Sequence, residues 1–121
     1  MRVPVRIPIG GKPVKIEYVE QILDDDGATP IYGESIDGDL SIRISTSRPR
    51  DEGMVWQVII HELCHVVFDF TGITNQLDTH KGLEESICTS LDNLLGPWLR
   101  LRQDIPGAKY KEVEFDFEED K

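Results

Sequence analysis

His61 and His65 stand four residues apart in the run His61-Glu62-Leu63-Cys64-His65. Residues at that spacing share one face of a helix, so the two imidazoles can hold a single cation between them. Glu62, beside the first histidine, is then placed to take a proton from water at the ion. With three histidines and 11 glutamates in 121 residues, an H-E-x-x-H arises by chance with a probability below about one per cent. The plainer alternative is a pair of core histidines satisfied by hydrogen bonds. A glutamate in register on an apolar helix favours the metal.

A catalytic zinc takes three protein ligands and keeps one position for water. Glu84 and Glu85, in the next helical segment, are the candidates for the third ligand. The residues alone leave both open, since Glu84 falls on the Ile87/Leu91/Leu95 side of its helix, where burial without a partner is costly. The carboxylate that is not a ligand reads as a solvated first-turn group favoured by the helix dipole. His80, in the loop between the two segments, is a substitute ligand, an oxyanion stabiliser or an exposed loop residue. Thr89 and Asp92 are either acceptors for a ligand imidazole N–H or ordinary surface polar groups. Cys64 and Cys88 read as free thiols packed in buried helix, since Cys64 points away from the face that carries His65.

These residues need a buried helix to carry them. Met54, Val55, Val58, Ile59, Leu63, Val66 and Val67 recur at helical spacing after Ser47-Arg48-Pro49, predicting a helix from Asp51 to Asp69 that Gly72 ends. A polar loop from Thr74 to Gly82 follows. Leu83, Ile87, Leu91, Leu94 and Leu95 mark a second long helix running toward Arg102, with Gly96-Pro97 as a kink. Upstream, Val3 to Ile9 and Val14 to Val19 alternate around Gly10-Gly11, a hairpin within residues 1–20 that Pro4, Pro8 and Pro13 assign to a sheet edge. Ile31 to Glu34 and Leu40 to Ser45 bracket Asp37-Gly38-Asp39 as a second hairpin, whose later strand carries Leu40, Ile42 and Ile44 on one face. Asp24-Asp25-Asp26-Gly27 lacks the alternating ligands and closing glutamate of an EF-hand and reads as a solvated turn. Val113, Phe115 and Phe117 predict a terminal strand within an acidic segment, residues 108–121, that closes on Glu118-Glu119-Asp120.

Composition narrows the classes of function. A chain of 121 residues fits one domain, residues 1–121, and a single site. A net charge of −10 repels phosphate backbones, so no nucleic-acid partner is expected. No apolar stretch approaches the roughly 18 residues of a membrane span. The N-terminus has neither the apolar core nor the cleavage site of a signal peptide, and with two cysteines expected free this places the chain in the cytoplasm.

The run Ile31 to Glu34, the strand Leu40 to Ser45, His61-Glu62-Leu63-Cys64-His65, and Leu83-Glu84-Glu85 with Leu91, Leu94 and Leu95 resemble the minimal zincins. These are the ImmA/IrrE-type and SprT-like metallopeptidase domains, above all the short versions carried by tailed phages and prophages. The likeness covers about residues 31 to 102, the expected core. Six residues past His65, where a metzincin-type site has its third histidine, this chain has Thr71. Glu85 instead follows His65 after 19 intervening residues, the spacing of the thermolysin-like branch. The resemblance thus implies Zn2+ held by His61, His65 and Glu85, with Glu62 catalytic, and hydrolysis of a peptide or protein substrate. It implies an α+β fold, a small, mostly antiparallel sheet on two long helices, in a gluzincin-like arrangement. Larger relatives carry additional domains that direct them to DNA or a repressor, and none is visible here, so no substrate is inherited. The alternative is a non-catalytic zinc-stabilised interaction module or an inactive zincin relative, for instance a phage-encoded protein that binds a host factor.

Overall fold

In the computed structural model the chain is described at every residue except Asp37, Asp78, Lys81, Arg102, Gln103 and 118–121, with backbone alone for 97–101. The architecture is α+β: a mostly antiparallel five-stranded sheet, with one helix packed on it and a second helix packed on the first. The sheet is larger than the sequence predicts, because the N-terminal hairpin lies in its middle. Strands β1 (Arg2–Ile9) and β2 (Lys12–Val19) turn tightly at Gly10 and Gly11, both at positive φ, the backbone that a two-residue hairpin turn demands. Beyond the short pair β3 (Ile22–Leu23) and β4 (Pro30–Ile31), β5 (Gly33–Ser35) and β6 (Ser41–Ser45) form the second hairpin. β7 (Lys109–Glu112) completes the order β5-β6-β2-β1-β7.

The edge position expected for the first hairpin is therefore wrong, and the register shows how its prolines are tolerated. Pro8 pairs with Pro13 near the hairpin tip. There β7 reaches only to Arg6 and β6 only to Lys15, so neither missing N–H interrupts an outer ladder. Pro4 sits at a register shift in the β1–β7 ladder, which absorbs the third proline. A second departure is the parallel pairing of β2 with β6, from Lys15↔Ser41 to Val19↔Ser45.

Helix α1 (Glu52–Thr71) matches its predicted span closely. Asp51 caps it by accepting the Met54 N–H at 2.8 Å, and Gly72, at φ 81°, returns its N–H to the Asp69 carbonyl. The segment expected to be wholly loop contains a one-turn helix, α2 (Ile73–Leu77), too short to leave a period in the sequence. α3 (Leu83–Leu101) runs through Gly96-Pro97 without a break. Its expected continuation to Arg102 and the closing Glu118-Glu119-Asp120 lie outside the described residues. The terminal strand is shifted: 109–112 pairs with β1, while Val113, Phe115 and Phe117 pack on the core outside any strand.

The core lies between sheet and α1. Val3, Ile7, Val14, Ile16, Ile42 and Ile44 from the strands meet Val55, Trp56, Val58, Ile59 and Val66 from the helix. Edge strand β5 crosses α1 closely at Gly33. A Cβ there would stand 2.8 Å from Val58 Cγ1, 3.0 Å from the Arg43 carbonyl and 3.3 Å from Glu62 Cγ. Gly33→Ala should accordingly cost about 1–3 kcal/mol, seen as a lower urea midpoint at unchanged slope. A midpoint equal to wild type would mean that β5 can shift outward without loss.

Candidate metal centre

α1 and α3 pack side by side, and the polar cluster forms where they meet. His61 and His65, one turn apart on α1, bring their Nε2 atoms to 3.2 Å of each other. Glu85, in the first turn of α3, reaches both: Oε1 lies 2.8 Å from His61 Nε2 and Oε2 lies 3.0 Å from His65 Nε2. The ligand atoms offered by His61, His65 and Glu85 all fall within 4.8 Å of one another, a group that could hold a metal ion. Glu85 is the most exposed of the three, at 61 % for its side chain, so the cluster opens toward solvent on that side.

Each histidine is fixed from behind by a second carboxylate. Asp92 Oδ2 lies 2.9 Å from His61 Nδ1, and Glu84 Oε2 contacts His65 Nδ1. Asp92 is seven residues beyond Glu85, two helical turns, and so returns to the same face of α3. With the Nδ1 protons donated to these carboxylates, both Nε2 lone pairs point inward at one another and at the Glu85 oxygens. While both rings are neutral, four acceptors then converge without a donor among them, a set completed by an imidazole proton or by a metal cation. No lysine or arginine is among the described residues lining the two hollows beside the cluster.

Electrostatics agree with this deficit of positive charge. Burial opposes protonation of His65, but its hydrogen bond to Glu84 and the charges of Glu62, Glu85 and Glu84 outweigh it and hold the imidazole above its ordinary pKa. Glu62, only 8 % exposed, is pushed up by burial, while the imidazoles of His61 and His65 pull it back. It sits against Gly33 in a cleft of about 390 Å³ that Tyr32, Met54, His61, Glu85 and Asp92 also line.

The structure brings His61, His65 and Glu85 into one group and leaves Glu84 outside it. Glu84 departs from its expected place, being no solvated first-turn group but a half-buried partner of His65, 21 % exposed. Its burial is compensated, because Thr74 Oγ1 also donates to Glu84 Oε1 at 2.6 Å. Asp92 takes the acceptor role left open for it, while Thr89 stays an exposed residue of the cleft wall. His80 lines a neighbouring hollow of about 370 Å³ with His65, Thr74 and Glu84, outside the ligand group. Cys64 and Cys88 are free thiols, and neither joins that group. Burial, followed by Cys64 and the nearby carboxylates, pushes the Cys88 pKa up to about 12. Thr74 and Gly33 escape sequence reasoning altogether: a lone threonine in a polar run and a glycine in a strand carry no signal of their contacts.

No family model, curated protein or solved structure matches the chain. Among the described residues no helix is long and apolar enough to cross a membrane.

The geometry ranks the ligand variants. Glu85→Ala should weaken binding of a divalent cation most. Glu84→Ala, which frees His65 to rotate, should weaken it by about 10–100-fold, and Thr89→Ala should leave it unchanged. Competition with a chromophoric chelator measures all three, and equal affinities for the Glu84 and Glu85 variants would refute the assignment. Because the ion would bind only the folded chain, loading at about 100 times its dissociation constant should add about 2.7 kcal/mol of stability. Coincident melting curves with metal and with EDTA would mean that the site is uncoupled from folding.

Proposed function

We propose that the chain is a zinc-dependent metallopeptidase of the minimal gluzincin-like type, with Glu62 as general base in peptide-bond hydrolysis. The observation that carries this proposal is the convergence of His61 Nε2, His65 Nε2 and the Glu85 carboxylate beside a buried Glu62 at an open cleft. Two imidazole nitrogens and one carboxylate suit zinc, whereas calcium and magnesium favour oxygen-only sets. When bound, zinc supplies a Lewis acid for the scissile carbonyl and brings the pKa of its water toward neutrality.

The remaining work falls to the chain. Glu62 receives the proton of the attacking water on its carboxylate and passes it to the leaving amine. Its raised pKa makes it a better proton acceptor than a solvated carboxylate once it is ionised. Asp92 and Glu84 keep the His61 and His65 rings in the tautomer that presents Nε2. β5 has a sheet neighbour on one side only, so an extended peptide can lie along its other side through main-chain hydrogen bonds. Ile31, Met54 and Val58 give that peptide an apolar wall.

Glu62→Gln separates binding from turnover. It keeps shape and hydrogen bonding but accepts no proton at neutral pH, so stoichiometric zinc should remain while hydrolysis of a peptide selected from a library falls by about 10²–10⁴-fold. Cleavage by the variant at the wild-type rate would remove Glu62 from the mechanism. Absence of zinc from wild-type protein prepared without chelator would remove the metallopeptidase.

A further inference from the structure

The α1–α3 connection carries a polar tie that the proposed chemistry leaves unused. Thr74, in the first turn of α2, donates its hydroxyl to Glu84 Oε1 at 2.6 Å, while Glu84 Oε2 contacts His65 Nδ1. The chain of contacts runs Thr74, Glu84, His65 and ends at the Nε2 that faces His61 and Glu85. α2 itself buries no residue. Thr74 to Glu84 is, among the described residues, the side-chain hydrogen bond by which α2 holds α3. Apolar packing therefore does little to seat α2, and the hydroxyl is what the segment offers.

We infer that Thr74 is a positioning residue for the metal centre, and that it latches α2 to the site so that metal occupancy and docking of α2 are linked. The inference rests on His61, His65 and Glu85 binding metal. Glu84 must keep one oxygen aimed at His65, and a carboxylate with a free second oxygen can swing about its χ angles. A hydroxyl pins the second oxygen without cancelling the charge. A lysine in its place would neutralise the carboxylate, weakening its pull on the imidazole proton, and would compete with the cation in a cluster already short of positive charge. Coupling of this kind is reciprocal: if a docked α2 raises metal affinity, bound metal must favour a docked α2 by the same factor. Thr74 and Leu77 wall the hollow on the His80 side of the cluster, so metal loading also sets the shape of that hollow.

The test compares Thr74→Val, which keeps the shape and loses the donor, with Thr74→Ser, which keeps the donor. Zn2+ alone is titrated against a chromophoric chelator, and Co2+ absorption reports the ligand geometry. Thr74→Val should bind Zn2+ about 10-fold more weakly with an altered Co2+ spectrum, and Thr74→Ser should fall within about twofold of wild type. Metal-free Thr74→Val should melt only slightly below wild type, by what one hydrogen bond to a half-buried carboxylate contributes, and still in one cooperative transition, separating positioning from a general loss of fold. Hydrogen exchange at Asn75, Gln76 and Leu77 should slow on Zn2+ binding in wild type and respond less in Thr74→Val. Equal Zn2+ affinity in wild type and Thr74→Val overturns the latch and leaves the metal site standing. A wild-type chain that binds no Zn2+ overturns both. Failure of Thr74→Ser to restore affinity overturns the hydroxyl as the cause.

Discussion

The structure turns on the meeting of two imidazole nitrogens and one carboxylate. The two Nε2 atoms lie 3.2 Å apart, and Glu85 meets both from the facing helix. With both rings neutral and their Nδ1 protons given to carboxylates, such a set lacks a donor, and a shared proton or a metal cation completes it. Everything near it serves that one convergence. Asp92 and Glu84 contact the outer ring nitrogens, Thr74 donates to Glu84, and α1 packs on the sheet with Glu62 lining the cleft. The register of α3 against α1 is consequently the least forgiving feature of the fold. One residue of slippage rotates α3 by about 100° and would carry Glu84, Glu85 and Asp92 away together.

The core and the candidate metal centre share the same helix in this chain. One side of α1 is given to Val55, Val58, Ile59 and Val66, which pack on the sheet, and the other to His61 and His65, which meet α3. Glu62 stands at the border between them, almost as buried as the core yet in contact with the cleft. Its position explains why a carboxylate is tolerated there: two imidazoles lie close enough to offset part of the desolvation cost, as the opposing influences on its pKa record. The acidic balance of the whole chain, −10, adds a long-range field that attracts cations.

What the sequence made legible was whatever left a period or a fixed spacing. α1 could be placed within two residues at either end because seven apolar positions, an aspartate cap and a terminating glycine agree with one another. The pairing of His61 with His65 is legible in the spacing of four, and the choice of Glu85 over Glu84 only in its distance from His65, a spacing shared with the family the chain resembles. What it hid depends on tertiary pairing. The prolines of the first hairpin argued for an edge, yet the neighbouring strands stop short of Pro8 and Pro13, a fact of strand length that no local rule contains. Glu84 was taken for a surface group because its two partners come from α1 and from α2, and α2 is too brief to register as a period. Val113 to Phe117 alternates like a strand but spends its apolar residues on the core beside Tyr18, with Phe115 meeting that ring edge-on.

Both borders of the sheet are brief. β5 contributes three residues and β7 four, while the eight-residue strands β1 and β2 are enclosed between neighbours. A long bare border is a template on which copies of a chain stack into aggregates, and proteins blunt such borders to prevent it. A three-residue border offers too few main-chain bonds to hold another strand without help from elsewhere. Any polypeptide that settles on β5 must therefore draw much of its affinity from the cluster and the apolar wall beside it. The same brevity that protects the fold against self-assembly makes attachment at that border conditional on what lies in the cleft.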